Sequence, residues 1–198
     1  FDEWTLPTPE QLHMAGSMLV VSESGVRVRF GDLWKNGKTV VIFIRHFRFA
    51  PCQDYIRSIS EELDVPALQK AGLQFVVVGL GSHHMIAPYR QLTGTKFAMY
   101  TDPTLSIHRV LGMNLKSLDS GSAAEQGHYV KSGVLGGIRR TLKDAVTMKL
   151  PVFEKGGDLL QLGGEFILGP NQRCYYAHRM KTTRSHAPIL NVVAASGL

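Results

Sequence analysis

Hydrophobic and polar positions alternate in different ways along the chain, and each change of pattern marks an element. Residues 39–44 (Thr-Val-Val-Ile-Phe-Ile) carry no charge and are mostly β-branched or aromatic, which predicts a central strand buried on both faces. Residues 73–79 read the same way. Residues 25–30 instead set Val26, Val28 and Phe30 against Arg27 and Arg29, the period of a half-buried strand. After Pro51 the period becomes helical: Tyr55, Ile59 and Leu63 share a face with Ile56, opposite Arg57, Glu61 and Glu62. A helix through residues 89–92, a strand at 97–100 and a helix at 105–111 stopped by Gly112 follow. Residues 161–168 and 173–178 are strands joined by Gly169-Pro170-Asn171 as a hairpin, and a last helix covers 189–195. Residues 1–24 read as a mixed lead-in with a short helical segment from Thr8-Pro9-Glu10. Residues 112–157 read as an insertion over one end of the sheet, with glycines at 133–137 and an amphipathic helix at about 138–148. The expected fold is α/β, a mixed sheet with helices on both faces, in a single domain of residues 25–198.

Composition narrows the function classes. The 198 residues suit one domain, and 44% hydrophobic content supports a core without disulfides or metal. The net charge of +6 is grouped only at Arg139-Arg140 with Lys143 and at Arg179-Lys181-Arg184, with no interleaved aromatic residues. No nucleic-acid partner is expected; an anionic small molecule or plain solubility accounts better for the charge. Cys52 and Cys174 form neither a disulfide framework nor a CxxC pair. Residues 1–10 lack a signal-peptide pattern, and no apolar run reaches the roughly 20 residues of a membrane span. A soluble cytoplasmic protein without membrane contact is expected.

Ionisable groups gather where the central strand meets its helix, the place where open α/β sheets put their chemistry. Arg45 and His46 end the strand and point to opposite faces; they serve either as acid/base and anion-binding groups or as partners for Asp54 or Glu165. Asp54 and Tyr55 lie in the first turns of the helix. Gly163 and Gly164 permit close approach, and Glu165, the charge in its strand, has Arg45 or Arg179 as expected partner. His178, Arg179 and His186 follow as secondary candidates. His83-His84 lacks spaced partners for a metal, and the glycines before Ile138 lack the strand of a nucleotide motif, so neither metal nor cofactor is expected.

Three segments carry a resemblance: Gly31-Asp32-Leu33-Trp34, then Val40 through Phe47 with Pro51-Cys52-Gln53-Asp54-Tyr55, and finally Gln161-Leu162-Gly163-Gly164-Glu165-Phe166 with Tyr176 to Met180 and Thr182 to Pro188. In this order they resemble AhpC/TSA-type peroxiredoxin-like proteins of the thioredoxin superfamily, their fungal members in particular. The resemblance implies a thioredoxin-like fold with frequent dimerisation, and a Cys-x-x-Cys loop whose first cysteine is reactive. Here the loop reads Phe49-Ala50-Pro51-Cys52. Phenylalanine has no ionisable atom, and Cys52, further into the helix, reads first as a packed small hydrophobe.

Three readings of function follow. The one put first is a loop turned from peroxide chemistry to binding and converting a largely apolar small molecule, by acid/base or isomerase-like chemistry, in a biosynthetic pathway if the fungal resemblance holds. Phe47, Phe49 and Ala50 would form its wall; Arg45, His46, Asp54 and Tyr55 its polar groups. The second is a thiol oxidoreductase using Cys52 alone with an external thiol. The third is a non-catalytic interaction module.

Overall fold

The computed structural model describes residues 1–131, 139, 143 and 157–198. The expected glycine-rich turn, the amphipathic helix behind it and the break at Pro151 lie outside the described residues. The fold is a seven-stranded mixed sheet. In chain order the elements are α1 (Pro9–Ser17), β1 (Leu19–Ser22), β2 (Arg27–Arg29), a 3-10 turn (Phe30–Leu33), β3 (Thr39–Phe43), α2 (Ala50–Glu62), α3 (Val65–Lys70), β4 (Gln74–Gly79), a second 3-10 turn (His83–Met85), α4 (Ile86–Thr93), β5 (Ala98–Thr101), α5 (Ser106–Val110), β6 (Gly164–Gly169), β7 (Arg173–Arg179) and α6 (Ile189–Ala194). The sheet order is β2-β1-β5-β4-β3-β6-β7, with β3, β4 and β5 parallel and the remaining pairings antiparallel.

The uncharged run of β3 does what its pattern requires. Val40 and Ile42 face one core cluster, Val41 and Phe43 the other, so every position of the strand is buried. The first cluster is covered by α2, α4 and α6 through Tyr55, Ile56, Ile59, Ile86, Tyr89, Val192 and Val193. The second is covered by α1 and α5 through Leu12, Ala15, Ile107 and Leu111.

Several expectations change. The lead-in contains β1, a strand of the sheet, and α1, which contributes Leu12 and Ala15 to the core. The alternating strand is cut to Arg27–Arg29 because Phe30 turns into the core as the first residue of the 3-10 turn. β3 stops at Phe43, so Arg45 and His46 lie in the loop beyond it; only the Ile44 amide still reaches across, to the Val78 carbonyl at 3.0 Å. β6 starts at Gly164 rather than at residue 161; Gln161 instead pairs with Lys116 in an isolated antiparallel bridge, with its side-chain amide on the carbonyls of Met113 (2.7 Å) and Leu162 (2.9 Å). The described part of the insertion is not confined to the surface: Tyr129 is buried in the first cluster.

Gly163 and Gly164 hold β6 tightly between its neighbours. A Cβ on Gly163 would lie 1.8 Å from the Phe43 carbonyl oxygen, and one on Gly164 would lie 2.2 Å from that of His178. Both obstacles are backbone, which cannot rotate away. Gly163→Ala is therefore expected to destabilise the fold by about 2–3 kcal/mol, as overpacking does, read as a lower urea midpoint at unchanged slope.

Candidate functional site

α2 begins just past the C-terminal end of β3, with Phe49 as N-cap, Ala50 and Pro51 opening the helix, and Cys52 in its first turn. The fixed φ of proline suits this position, where its missing N–H is not needed. Cys52 is fully buried and faces the first core cluster. Its Sγ lies 3.2 Å from Nε2 of His186, in the segment between β7 and α6.

His186 is held on every side. Its Nδ1 makes a very short contact with Oε1 of Glu165. Its ring stacks on Tyr55, centroids 4.3 Å apart and planes 2° from parallel, and its backbone amide donates to the Tyr129 hydroxyl at 2.9 Å. The hydroxyls of Tyr55 and Tyr129 donate in turn to the carbonyls of Ala187 (2.8 Å) and Arg184 (2.7 Å), fixing the backbone on both sides of the histidine.

Glu165 is fully buried in β6, where an unpaired carboxylate would be very costly. It is satisfied by His186 at Oε1, and at Oε2 by His178 Nδ1 (2.7 Å) and the Ala187 amide (3.1 Å). Burial alone would raise its pKa, but the charges and hydrogen bonds of His186 and His178 outweigh it and hold the carboxyl at about 2. For His186 burial favours the neutral ring, and Cys52 and Glu165 outweigh it, pushing the imidazole up to about 10. At neutral pH the pair is carboxylate and imidazolium. An imidazolium has an N–H on both nitrogens, so the one facing Cys52 is a donor and the sulfur its acceptor.

Of the residues singled out in the sequence, Glu165, Tyr55, Cys52, His178 and the secondary candidate His186 come together here. Glu165 pairs with neither Arg45 nor Arg179. Arg179 follows His178 and so points to the other face of the sheet, against Phe166, with its guanidinium on the carbonyls of Leu111 (2.7 Å), Thr5 (2.9 Å) and Asp2 (3.3 Å). Arg45 is buried, and its guanidinium donates to the carbonyls of Leu159 (2.6 Å), Gln161 (3.4 Å) and Ser117 (3.5 Å) while lying 4.2 Å over the Phe49 ring. It ties the insertion to the loop. Phe47 is a core residue rather than a pocket wall: its ring fills the space over Gly79 and meets Tyr89 edge-on. Asp54 is buried within α2 with Arg57 at 3.8 Å, and Ala50 is buried beside it. His46, Arg48 and Phe49 are half-buried and form the outer side of the loop. Nδ1 of His46 is buried with no hydrogen-bond partner among the described residues, and burial, then Arg45 and Arg48, pull the imidazole down to about 3.

Tyr129 is not among the residues the sequence singles out, and His186 stands there only as a secondary candidate. His186 is 134 positions from Cys52, and no local spacing connects them; its only signal was membership of the C-terminal block that carried the resemblance. Cys174 lies on the opposite face of the sheet and at its opposite end, opposite Leu168, which pairs with Thr39 at the start of β3. Its thiol donates to the Tyr176 carbonyl at 3.0 Å, and burial pushes its pKa up to about 11. A bridge to Cys52 is outside disulfide reach. Among the described residues no group of three or more His, Cys, Asp or Glu side chains could hold a metal ion, and no helix is long and apolar enough to cross a membrane.

The two shifts set a stability window. Glu165 titrates at 4.5 when unfolded and at about 2 when folded, so its contribution is complete above 4.5 and lost as the pH falls towards 2. His186 works in reverse: its contribution is complete below 6.5 and lost as the pH rises through about 10. Glu165→Gln is expected to be clearly less stable than the parent protein at neutral pH, with the gap narrowing between pH 4.5 and 2, measured by urea denaturation across pH.

Known proteins place this geometry. The family model described as AhpC/TSA antioxidant enzyme matches residues 59–182, a span that begins after Cys52 and ends before His186. Peroxiredoxin-like 2C of Mus musculus is 35% identical over 179 residues, covering 90% of this chain and 77% of that one. The chloroplastic thioredoxin-like protein AAED1 of Arabidopsis thaliana is 24% identical over 177 residues, covering 89% and 68%. Among solved structures, a PrxQ mutant from Xylella fastidiosa superposes with a TM-score of 0.59 at 11% identity, covering 100% of this chain and 98% of that one. The bacterioferritin comigratory protein of Xanthomonas campestris superposes with a TM-score of 0.59 at 14% identity, covering 98% and 96%. The chain therefore belongs to the AhpC/TSA family, as a peroxiredoxin-like protein of the thioredoxin superfamily.

Proposed function

We propose that this protein is a thiol-dependent oxidoreductase in which Cys52 alone reduces a peroxide and an external thiol completes the cycle. The observation that carries the reading is the 3.2 Å contact between Cys52 Sγ and an imidazolium oriented by a buried carboxylate. A thiolate is the nucleophile, and a neighbouring imidazolium together with a helix N-terminus favours it. The family is described as antioxidant enzymes, and the Xanthomonas relative in fold is described with alkyl peroxide reduction activity.

The Cys52 thiolate attacks the terminal oxygen of the peroxide, forming an S–O bond as the O–O bond breaks. The departing alkoxide takes the His186 proton and leaves as an alcohol, with Cys52 now a sulfenic acid. An external thiol condenses with it, releasing water and giving a mixed disulfide. A second thiol displaces Cys52 as thiolate, yields the external disulfide, and its proton returns to His186. The resemblance puts the reactive cysteine of such loops at position 49, where this chain has Phe49; on this reading Cys52 takes that part itself, and with Cys174 across the sheet both thiols come from outside the chain. Cys52 is fully buried, and the loop carrying His46, Arg48 and Phe49 is the half-exposed segment that must yield for a peroxide to enter.

A second reading keeps one observation in its favour. The partnerless Nδ1 of His46, on a ring beside Phe49, suits a hydrogen bond to an apolar small molecule held by this loop. The two separate cleanly. Under the oxidoreductase reading Cys52→Ala abolishes thiol-dependent peroxide consumption and His186→Gln lowers it by about 100-fold, while His46→Ala keeps most of it. Full turnover in Cys52→Ala overturns the reading. Phe49→Cys supplies the missing local thiol: after peroxide treatment it is expected to form a disulfide with Cys52, seen by mass spectrometry of the intact protein, whereas the parent protein forms only mixed disulfides.

A further inference from the structure

The polar chain that starts at Cys52 does not stop at Glu165. His178 Nδ1 lies 2.7 Å from Glu165 Oε2, and on its far side His178 Nε2 lies 3.5 Å from Glu3 Oε1. The other oxygen of Glu3 meets Lys181 Nζ at 2.5 Å, and that lysine is half-exposed to solvent. Residues 2–5 are pinned along β7: the Arg179 amide donates to the Glu3 carbonyl at 2.9 Å, the Arg179 guanidinium holds the carbonyls of Asp2 and Thr5, and the Trp4 ring lies 4.7 Å from that of His178. A line of alternating imidazoles and carboxylates thus runs from a fully buried sulfur to the surface.

We propose that His178 and Glu3 form the outer half of a proton relay, Cys52–His186–Glu165–His178–Glu3, through which the buried thiol and imidazole exchange protons with solvent. It rests on the reading of Cys52 as the reactive thiol, and it makes His178 and Glu3 positioning residues rather than catalytic ones. Within the cycle the second thiol returns a proton to His186, but the resting thiol and imidazole are buried, and their exchange with solvent needs a path through neighbouring groups. Histidine suits the middle of a relay because one ring nitrogen accepts while the other donates. The other titratable groups at the inner end are Tyr55 of α2, Tyr129, the Tyr89 hydroxyl on the Cys52 carbonyl, and the buried Arg45. At the outer end Tyr176 completes the surroundings through its contact with Trp4.

The test uses a Cys174→Ser background, in which Cys52 is the only thiol, and follows ultraviolet thiolate absorbance after a stopped-flow pH jump. His178→Gln keeps a donor to Glu165 but has no nitrogen that can pass a proton on. It is expected to slow equilibration by roughly tenfold or more at unchanged final amplitude, with imidazole in the buffer restoring part of the rate. Glu3→Gln is expected to slow it less, without loss of thermal stability. A merely structural role would move stability and amplitude but not the rate alone. His178→Gln equilibrating as fast as the parent overturns the relay, as does a parent protein with no thiolate step. Should His178→Gln fail to fold, an unchanged rate in Glu3→Gln overturns it. Peroxide turnover surviving in Cys52→Ala instead overturns the oxidoreductase reading and leaves the measured proton path standing.

Discussion

One buried carboxylate organises this end of the molecule. Glu165 sits in a strand whose other positions are apolar or glycine, with no solvent contact. Leaving such a charge uncompensated costs about 3–5 kcal/mol, so the chain must bring partners to it, and each partner fixes another element. The register of β7 on β6 sets His178 directly across from Glu165. The segment after β7 must then fold back over the sheet so that His186 and the Ala187 amide reach the same carboxylate. α6 follows immediately, and its packing on the sheet is set by where that return ends.

The same carboxylate explains why α2 begins where it does. His186 is bound at one nitrogen by Glu165 and stacked flat by Tyr55, so its other nitrogen has a single direction, and Cys52 occupies it. Cys52 and Tyr55 are three residues apart in α2 and so lie on one helix face, which lets one helix supply both the sulfur and the stacking ring. Phe49 as N-cap makes no side-chain hydrogen bond. Its ring instead carries the Arg45 guanidinium, whose hydrogen bonds hold residue 117 in the insertion and residues 159 and 161 just beyond it. The loop and these described residues beside the insertion are thus tied together.

What could be read from the sequence follows a physical division. The buried strands β3 and β4, the hairpin of β6 and β7 and the amphipathic α2 declare themselves, because burial on two faces, alternation and a helical stripe are properties of neighbouring residues. β1 does not, since four residues at the edge of a longer lead-in carry too little pattern. Arg45 was misplaced for a related reason: a charge after a buried strand signals that it needs partners, but not whether they are substrate atoms or backbone carbonyls more than a hundred residues away. Glu165 was recognised as anomalous, and its partners were assigned to arginines by charge alone. Strand periodicity already argued otherwise for Arg179, which alternates to the opposite face, while His178 shares the face of Glu165. His186 reads only as a secondary candidate, and its pairing with Cys52 and Glu165 cannot be derived, because it lies outside any periodic element and meets Cys52 only through the closure of the whole sheet.

A phenylalanine at position 49, where the resemblance expects the reactive cysteine, does not by itself disarm the proposed site. The His186 ring and the start of α2 both lie at Cys52, independently of any sulfur at position 49. On the oxidoreductase reading, what a loop with one cysteine changes is the second half of the chemistry. With Phe49 at the N-cap and Cys174 on the far face, an oxidised Cys52 has no thiol of its own chain within reach. On the oxidoreductase reading proposed above, its lifetime would be set by how an outside thiol passes the Phe49 loop, and selectivity among reductants would belong to His46, Arg48 and Phe49 rather than to the sulfur itself.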